Sequence, residues 1–202
     1  MTEMAKTSIY FSHPGKKNTA GVVRAVVQRL EEGDLKAVVI ASTTGYTAHA
    51  FADALIGRKG LTIIAVSESP LAKEWDNKTP YPFLTADTKA ALEAKGVTVA
   101  DHIPYLLHSS VLDSSRLRGP SAEEIVRETL YAFGQGLKVA VEVVLMAVAG
   151  GFLAPYQEVI AVGGTGRGAD TAIVVRATFP NHLLSQDPEK RLLIKEILCK
   201  PL

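Results

Sequence analysis

From Ser8 to Val66, short apolar runs alternate with segments whose apolar residues recur every three or four positions. Ser8–Phe11 predicts a short strand that ends at the turn cluster Ser12-His13-Pro14-Gly15. Val22, Val23, Val26, Val27 and Leu30 follow at helical spacing, with Arg24, Arg29 and Glu31 opposite, Thr19 as a candidate cap and Gly33 as a stop. Ala37–Ala41 is a continuous apolar run, the pattern of a parallel strand covered on both faces. Phe51, Ala52, Leu55 and Ile56 mark a second helix closed by Gly57 or Gly60, and Leu61–Val66 a further buried strand. Two strand–helix–strand units in succession predict an α/β fold with a doubly wound, mostly parallel sheet.

The rest of the chain is less regular. Glu68–Leu84 holds three prolines and the only tryptophan, Trp75, and reads as a surface loop. A short helix over Thr85–Lys95 ends at Gly96 and leads to a strand around Val97–Ala100, followed by a second long loop, His102–Pro120. Long loops inside a compact domain are often functional or mobile, so both are candidate lids. Ser121-Ala122-Glu123-Glu124 has the spacing of a capping box and opens one long helix to about Ala149, apolar almost all round beyond Val139. Val159–Val162 and Thr171–Ala177 predict an antiparallel hairpin at the sheet edge, and Asp187-Pro188-Glu189 a final short helix. Without a repeat, a low-complexity tract or a linker, residues 1–202 read as a single domain.

Composition narrows the classes. A chain of 202 residues is too short for a (β/α)₈ barrel enzyme, which needs roughly 250. Its 22 Lys+Arg balance 21 Asp+Glu to a net charge of +1, which offers no electrostatic footprint for nucleic acid or an anionic membrane. The one cysteine, Cys199, excludes an internal disulfide and fits a reducing cytoplasm. Met1–Ser8 lacks the apolar run of a signal peptide, and the most hydrophobic stretch, Val139–Tyr156, is interrupted by Glu142, Gly150-Gly151 and Pro155. The expectation is a cytoplasmic protein.

Candidate chemistry gathers in loops. Ser42-Thr43-Thr44-Gly45-Tyr46-Thr47 lies between a buried strand and a helix, where free N–H groups, three consecutive hydroxyls and a glycine can hold a phosphate. The same residues also serve as helix caps and tight turns, and from this loop alone the two readings stand level. Gly163-Gly164-Thr165-Gly166-Arg167-Gly168-Ala169-Asp170 has more glycine than a hairpin needs, and Arg167 could pair with a phosphate. Both loops follow parallel-type strands and would meet at one end of the sheet, where open α/β sheets bind ligands. Lys138 and Glu142, four apart in the long helix, could pair; such a buried pair is more often structural than catalytic. A third loop brings His13, Lys16, Lys17 and Asn18 near the same end, or makes only a solvated turn before a capped helix. The five histidines show no metal-ligand spacing, and no nucleophile elbow occurs. Ligand binding is better supported than catalysis.

The segments Ala37–His49, Leu61–Val66 and Val159–Thr165 with the return strand Thr171–Arg176 resemble the C-terminal domain of pyruvate kinase. Together with Pro14–Thr19, Gly134–Glu142 and Gly163–Ala172, the chain is similar to the stand-alone pyruvate kinase C-terminal-domain-like family of archaea and bacteria. The resemblance implies a three-layer α/β fold without the kinase barrel. In pyruvate kinase the matching loop binds the phosphate of a sugar bisphosphate; in the stand-alone family, members are associated with flavin mononucleotide and no settled reaction. Carried over by position, the phosphate sits on Ser42, Thr43, Thr44, Gly45 and Thr47. Gly163, Gly164, Thr165, Gly166, Gly168 and Asp170 lie beside the ligand, with Lys138 also in the binding set. Tyr46 stands where pyruvate kinases often have a basic residue, and the loop has no lysine, which points away from a sugar bisphosphate. His13 occupies a position often acidic in the stand-alone family.

The expected function is binding of flavin mononucleotide (FMN), a small phosphorylated ligand, with flavin-dependent oxidoreductase activity open. The alternative is a regulatory module that senses a phosphorylated metabolite or nucleotide without chemistry. The apolar long helix leaves a homo-oligomer open.

Overall fold

A computed structural model describes residues 3–74, 81–108 and 119–202. Trp75 and part of each expected lid lie outside the described residues. The elements are β1 (Ile9–Phe11), α1 (Thr19–Leu30), β2 (Ala37–Ala41), α2 (Tyr46–Leu55), β3 (Thr62–Val66), α3 (Ala86–Ala94), β4 (Val97–Ala100), α4 (Ala122–Tyr131), α5 (Gln135–Ala149), β5 (Glu158–Gly163), β6 (Thr171–Arg176) and β7 (Leu193–Pro201). The strands form one sheet in the order β1-β7-β6-β5-β2-β3-β4. β6 is antiparallel to both β5 and β7, while every other neighbouring pair is parallel, so β6 alone runs against the other six.

Alternation along the strands builds three layers. Val38, Ile40, Ile63, Ala65, Ile160 and Val162 point to one face, against Val22, Val26 and Leu30 of α1 and Phe51 and Leu55 of α2. Val39, Ile64, Val66, Val159, Ala161 and Ile173 point to the other, against Val141, Val144, Leu145 and Val148 of α5. Both faces being covered, the central strands carry unbroken apolar runs. At about 25 cal/mol per Å² of apolar surface removed from water, these two clusters supply the main drive to fold.

Three local expectations change. The single long helix is two helices, because Gly134 takes φ 111°, a conformation that side chains disfavour, and α5 starts afresh at Gln135. The capping box is real: Ser121 Oγ accepts from Glu124 N–H at 3.2 Å, and Glu124 Oε2 accepts from Ser121 N–H at 2.9 Å. The final short helix is overturned. Residues 187–190 make a turn closed by the Asp187 side chain on Glu189 N–H, and the tail becomes β7. A strand there satisfies the backbone groups along the free side of β6, which one helical turn would leave unpaired. The β5–β6 hairpin forms, but β7 and then β1 extend the sheet beyond it. No helix among the described residues is long and apolar enough to cross a membrane.

Candidate functional site

After β2 the chain passes through α2 on one face; after β4 it returns through α5 on the other face to β5, beside β2. The strand order therefore reverses between β2 and β5, and the crevice at their carboxyl ends is where doubly wound sheets take ligands. A cavity of about 720 Å³ opens there.

One wall is the loop from β2 into α2. Gly45, at φ 89°, makes the turn, and a Cβ on it would stand 2.4 Å from Thr88 Cγ2. Ser42 N–H donates to the Val66 carbonyl at 2.9 Å, and Ser42 Oγ accepts from Ala48 N–H at 3.1 Å, so Ser42 ties down the first turn of α2. Thr43 Oγ1 donates to Glu68 Oε1 at 2.7 Å. Thr44 is exposed, Thr47 is buried, and both face the cavity without a hydroxyl partner among the described residues. Gly45, the residue before α2, supplies no side-chain cap; Ser42 Oγ takes the Ala48 N–H, which leaves the Tyr46 and Thr47 N–H groups at the helix start without a hydrogen-bond partner among the described residues. Capping accounts for Ser42, whereas the Thr44 and Thr47 hydroxyls take no part in it.

The glycine-rich loop closes the next side. Gly164, Gly166, Arg167 and Gly168 line the cavity, and Gly163, Thr165 and Asp170 build it from behind. Asp170 is fully buried: Oδ2 accepts from Gly15 N–H at 2.8 Å and Thr165 N–H at 3.0 Å, and Oδ1 accepts from Thr171 Oγ1 at 2.9 Å. It therefore ties the β1–α1 loop to the β5–β6 loop, with its oxygens turned to the protein. Gly168 is pressed to within 2.8 Å of Lys16 Cα, measured from where its Cβ would stand. That closeness brings Lys16 to the rim, with its Nζ 4.0 Å from the centre of the Tyr46 ring. Arg167 makes no ion pair among the described residues.

The opposite wall comes from α5 and the loop after β4. Lys138, 2% exposed, hydrogen-bonds Glu142, and its Nζ lies 3.1 Å from His108 Nδ1. Glu142 Oε1 accepts from Leu107 N–H at 3.0 Å and lies 3.2 Å from His108 Nδ1. Burial draws the Lys138 ammonium below the usual lysine range. Burial also opposes the charge on Glu142, but His108 and Lys138 outweigh it and hold this carboxyl below the ordinary range. Glu68, across the cavity floor, is pushed up by burial and by the charge of Glu142, against the Thr43 hydroxyl. Tyr105 and Tyr131 add aromatic faces. Among the described residues, no group of three His, Cys, Asp or Glu is placed to hold a metal ion.

A model of the family described as pyruvate kinase, alpha/beta domain, matches residues 20–175, well over half of the chain. The chain belongs to the pyruvate kinase alpha/beta domain family. The matched span contains the Ser42–Thr47 loop, Lys138, Glu142 and the Gly163–Asp170 loop, whereas Lys16 and β7 lie outside it. The three-layer mostly parallel sheet is the architecture that the resemblance to this family implied.

Sequence reasoning brought the two loops together correctly but passed over Glu68 and His108. Glu68 directly follows Ser67 at the carboxyl end of β3, and that position is the one signal that could have marked it. His108 carried no such signal; only the fold turns it towards Glu142.

Proposed function

We propose that the chain binds a phosphorylated small molecule in the crevice between β2 and β5, and that FMN is that molecule. The observation that carries this reading is the start of α2, where Gly45 gives no side-chain cap and Ser42 takes only the Ala48 N–H, set beside the unspent Thr44 and Thr47 hydroxyls and two cations, Lys16 and Arg167. A helix N-terminus with open N–H groups attracts an anion through its dipole and its donors together. The near-neutral chain needs no basic surface for this, because backbone and hydroxyl donors do most of the holding.

The residues present suit a flavin. Cavities of roughly 300–1,000 Å³ take cofactor-sized ligands, and this one has about 720 Å³. Thr44, Thr47 and Arg167 would hold the phosphate on the α2 side. Tyr105 and Tyr131 offer flat faces for a ring on the α5 side, with Lys138, Glu142 and His108 there to hold or move a proton. A bound flavin supplies hydride or electron chemistry. Fluorescence titration tests the reading: saturable quenching of FMN, relieved by inorganic phosphate, is expected.

A sensor without chemistry is the second reading. It is favoured by one observation: the ionisable groups on the α5 side are already bonded to one another. Turnover with a nicotinamide donor separates the two, since a sensor would bind FMN and leave it oxidised.

A further inference from the structure

Lys138 and Glu142 stand one turn apart on α5, 2% and 3% exposed, and bonded to each other. Among the described residues, no element depends on the lysine alone for its place. The pair lies within one helix, so it joins no two elements. Lysine first and glutamate four residues later is the weaker order on a helix, and an ammonium close to a helix N-terminus meets the positive end of the dipole. Burying both charges costs desolvation that an apolar pair of similar volume would avoid. Glu142 has a second duty, since it accepts from Leu107 N–H and so pins the loop after β4. Among the described residues Lys138 meets, besides Glu142, the His108 ring, at 3.1 and 3.3 Å, and the face of Tyr131; the loop that carries His108 is already held by Glu142, through Leu107 N–H and His108 Nδ1. It lines the cavity.

Position decides what it would meet there. α2 and α5 cover opposite faces of the sheet, so Lys138 lines the cavity from the α5 side and Thr44 and Thr47 line it from the α2 side. We infer that Lys138 is a ligand-facing ammonium held by Glu142 and His108, and that the end of the ligand remote from its phosphate presents hydrogen-bond acceptors to it. The class is a phosphorylated molecule with a carbonyl-bearing or anionic edge, as on an oxidised heteroaromatic ring, rather than one ending in an amine or a hydrocarbon. This rests on the reading of the site given above. Burial has stripped Lys138 of water, and an acceptor on the ligand replaces what was lost.

The test uses Lys138→Met combined with Glu142→Gln, which removes both charges but keeps an acceptor for Leu107 N–H. Wild type and variant are compared by thermal melting without ligand and by calorimetric titration with FMN and with inorganic phosphate. The expected result is an unchanged or higher melting temperature, phosphate affinity within twofold, and FMN affinity at least tenfold weaker. A variant that melts several degrees lower or fails to fold makes the pair structural and overturns the inference. Equal FMN affinity overturns the inference alone and leaves the site reading intact. Phosphate binding without FMN binding by the wild type overturns the flavin assignment and this inference with it. If wild type binds neither probe, the site reading itself falls.

Discussion

The carbonyl oxygen of Gly136 occupies the space that a side chain on Gly163 would need: a Cβ there would stand 2.1 Å from it and 2.7 Å from Ala140 N. The end of β5 thus runs directly beneath the first turn of α5. Gly136 is also tightly packed, since its own Cβ would lie 2.2 Å from Thr171 Oγ1 and 2.4 Å from Asp170 Oδ1. The neighbours of Gly163 are all backbone, which cannot step aside, whereas those of Gly136 are the Thr171 and Asp170 side chains. Gly163→Ala is expected to destabilise the protein by about 1–3 kcal/mol, the usual cost of overpacking. Gly166→Ala is the control; its Cβ would meet nothing, so only its φ of 76° is penalised. Urea unfolding of both variants checks the difference.

Asp170 holds the cavity's back wall through three donors. Asp170→Ala orphans the N–H groups of Gly15 and Thr165 and is expected to cost about 1–3 kcal/mol for each donor left unsatisfied in a buried place. Because those donors carry the loops that present Lys16 and Arg167, affinity for FMN should fall as well. Asp170→Asn retains an acceptor and should lose less of both. Paired melting and titration experiments on the two variants measure this.

Thr44 and Thr47 supply the hydroxyls assigned to the phosphate. Replacing both with valine keeps the shape and removes the donors, which should weaken FMN by about 1–3 kcal/mol for each hydrogen bond to a charged group. Unchanged affinity would place the phosphate elsewhere.

Glu68 gives the site a pH dependence. Burial raises its carboxyl above the ordinary range, and its charge lies beside the loop assigned to the phosphate. A raised folded value means that Glu68 contributes stability that is fully present below its ordinary range and is lost as pH rises through the raised value. An arriving anion likewise favours the protonated form, so FMN affinity should rise as pH falls through that window. Glu68→Gln mimics the protonated side chain and should flatten both profiles while binding FMN more tightly at neutral pH. Melting and titration at stepped pH provide the measurement.

Much of this was legible in the chain and some was not, for physical reasons. β2, β3 and the central β5 are apolar on both faces, the pattern of strands covered on both sides, and the loops after them fall at the ligand-binding end by topology. Gly134 escaped because a glycine inside an amphipathic run looks like a tolerated interior residue until its φ is known. β7 escaped because its place comes from pairing with β6 and β1 rather than from its own pattern, which mixes exposed, half-buried and buried positions. At the site, the hydroxyls and glycines were visible as motifs. The contacts of Glu68 with Thr43 and of His108 with Glu142 are made across the fold and leave no spacing to read.

The most direct measurement of the central claim is the visible absorption spectrum of the freshly purified protein, followed by titration with FMN. Binding in the β2–β5 crevice predicts a flavin band that co-purifies or is restored at stoichiometric FMN, and that Thr44→Val with Thr47→Val diminishes. A colourless protein that takes up no FMN at any concentration tried would contradict it.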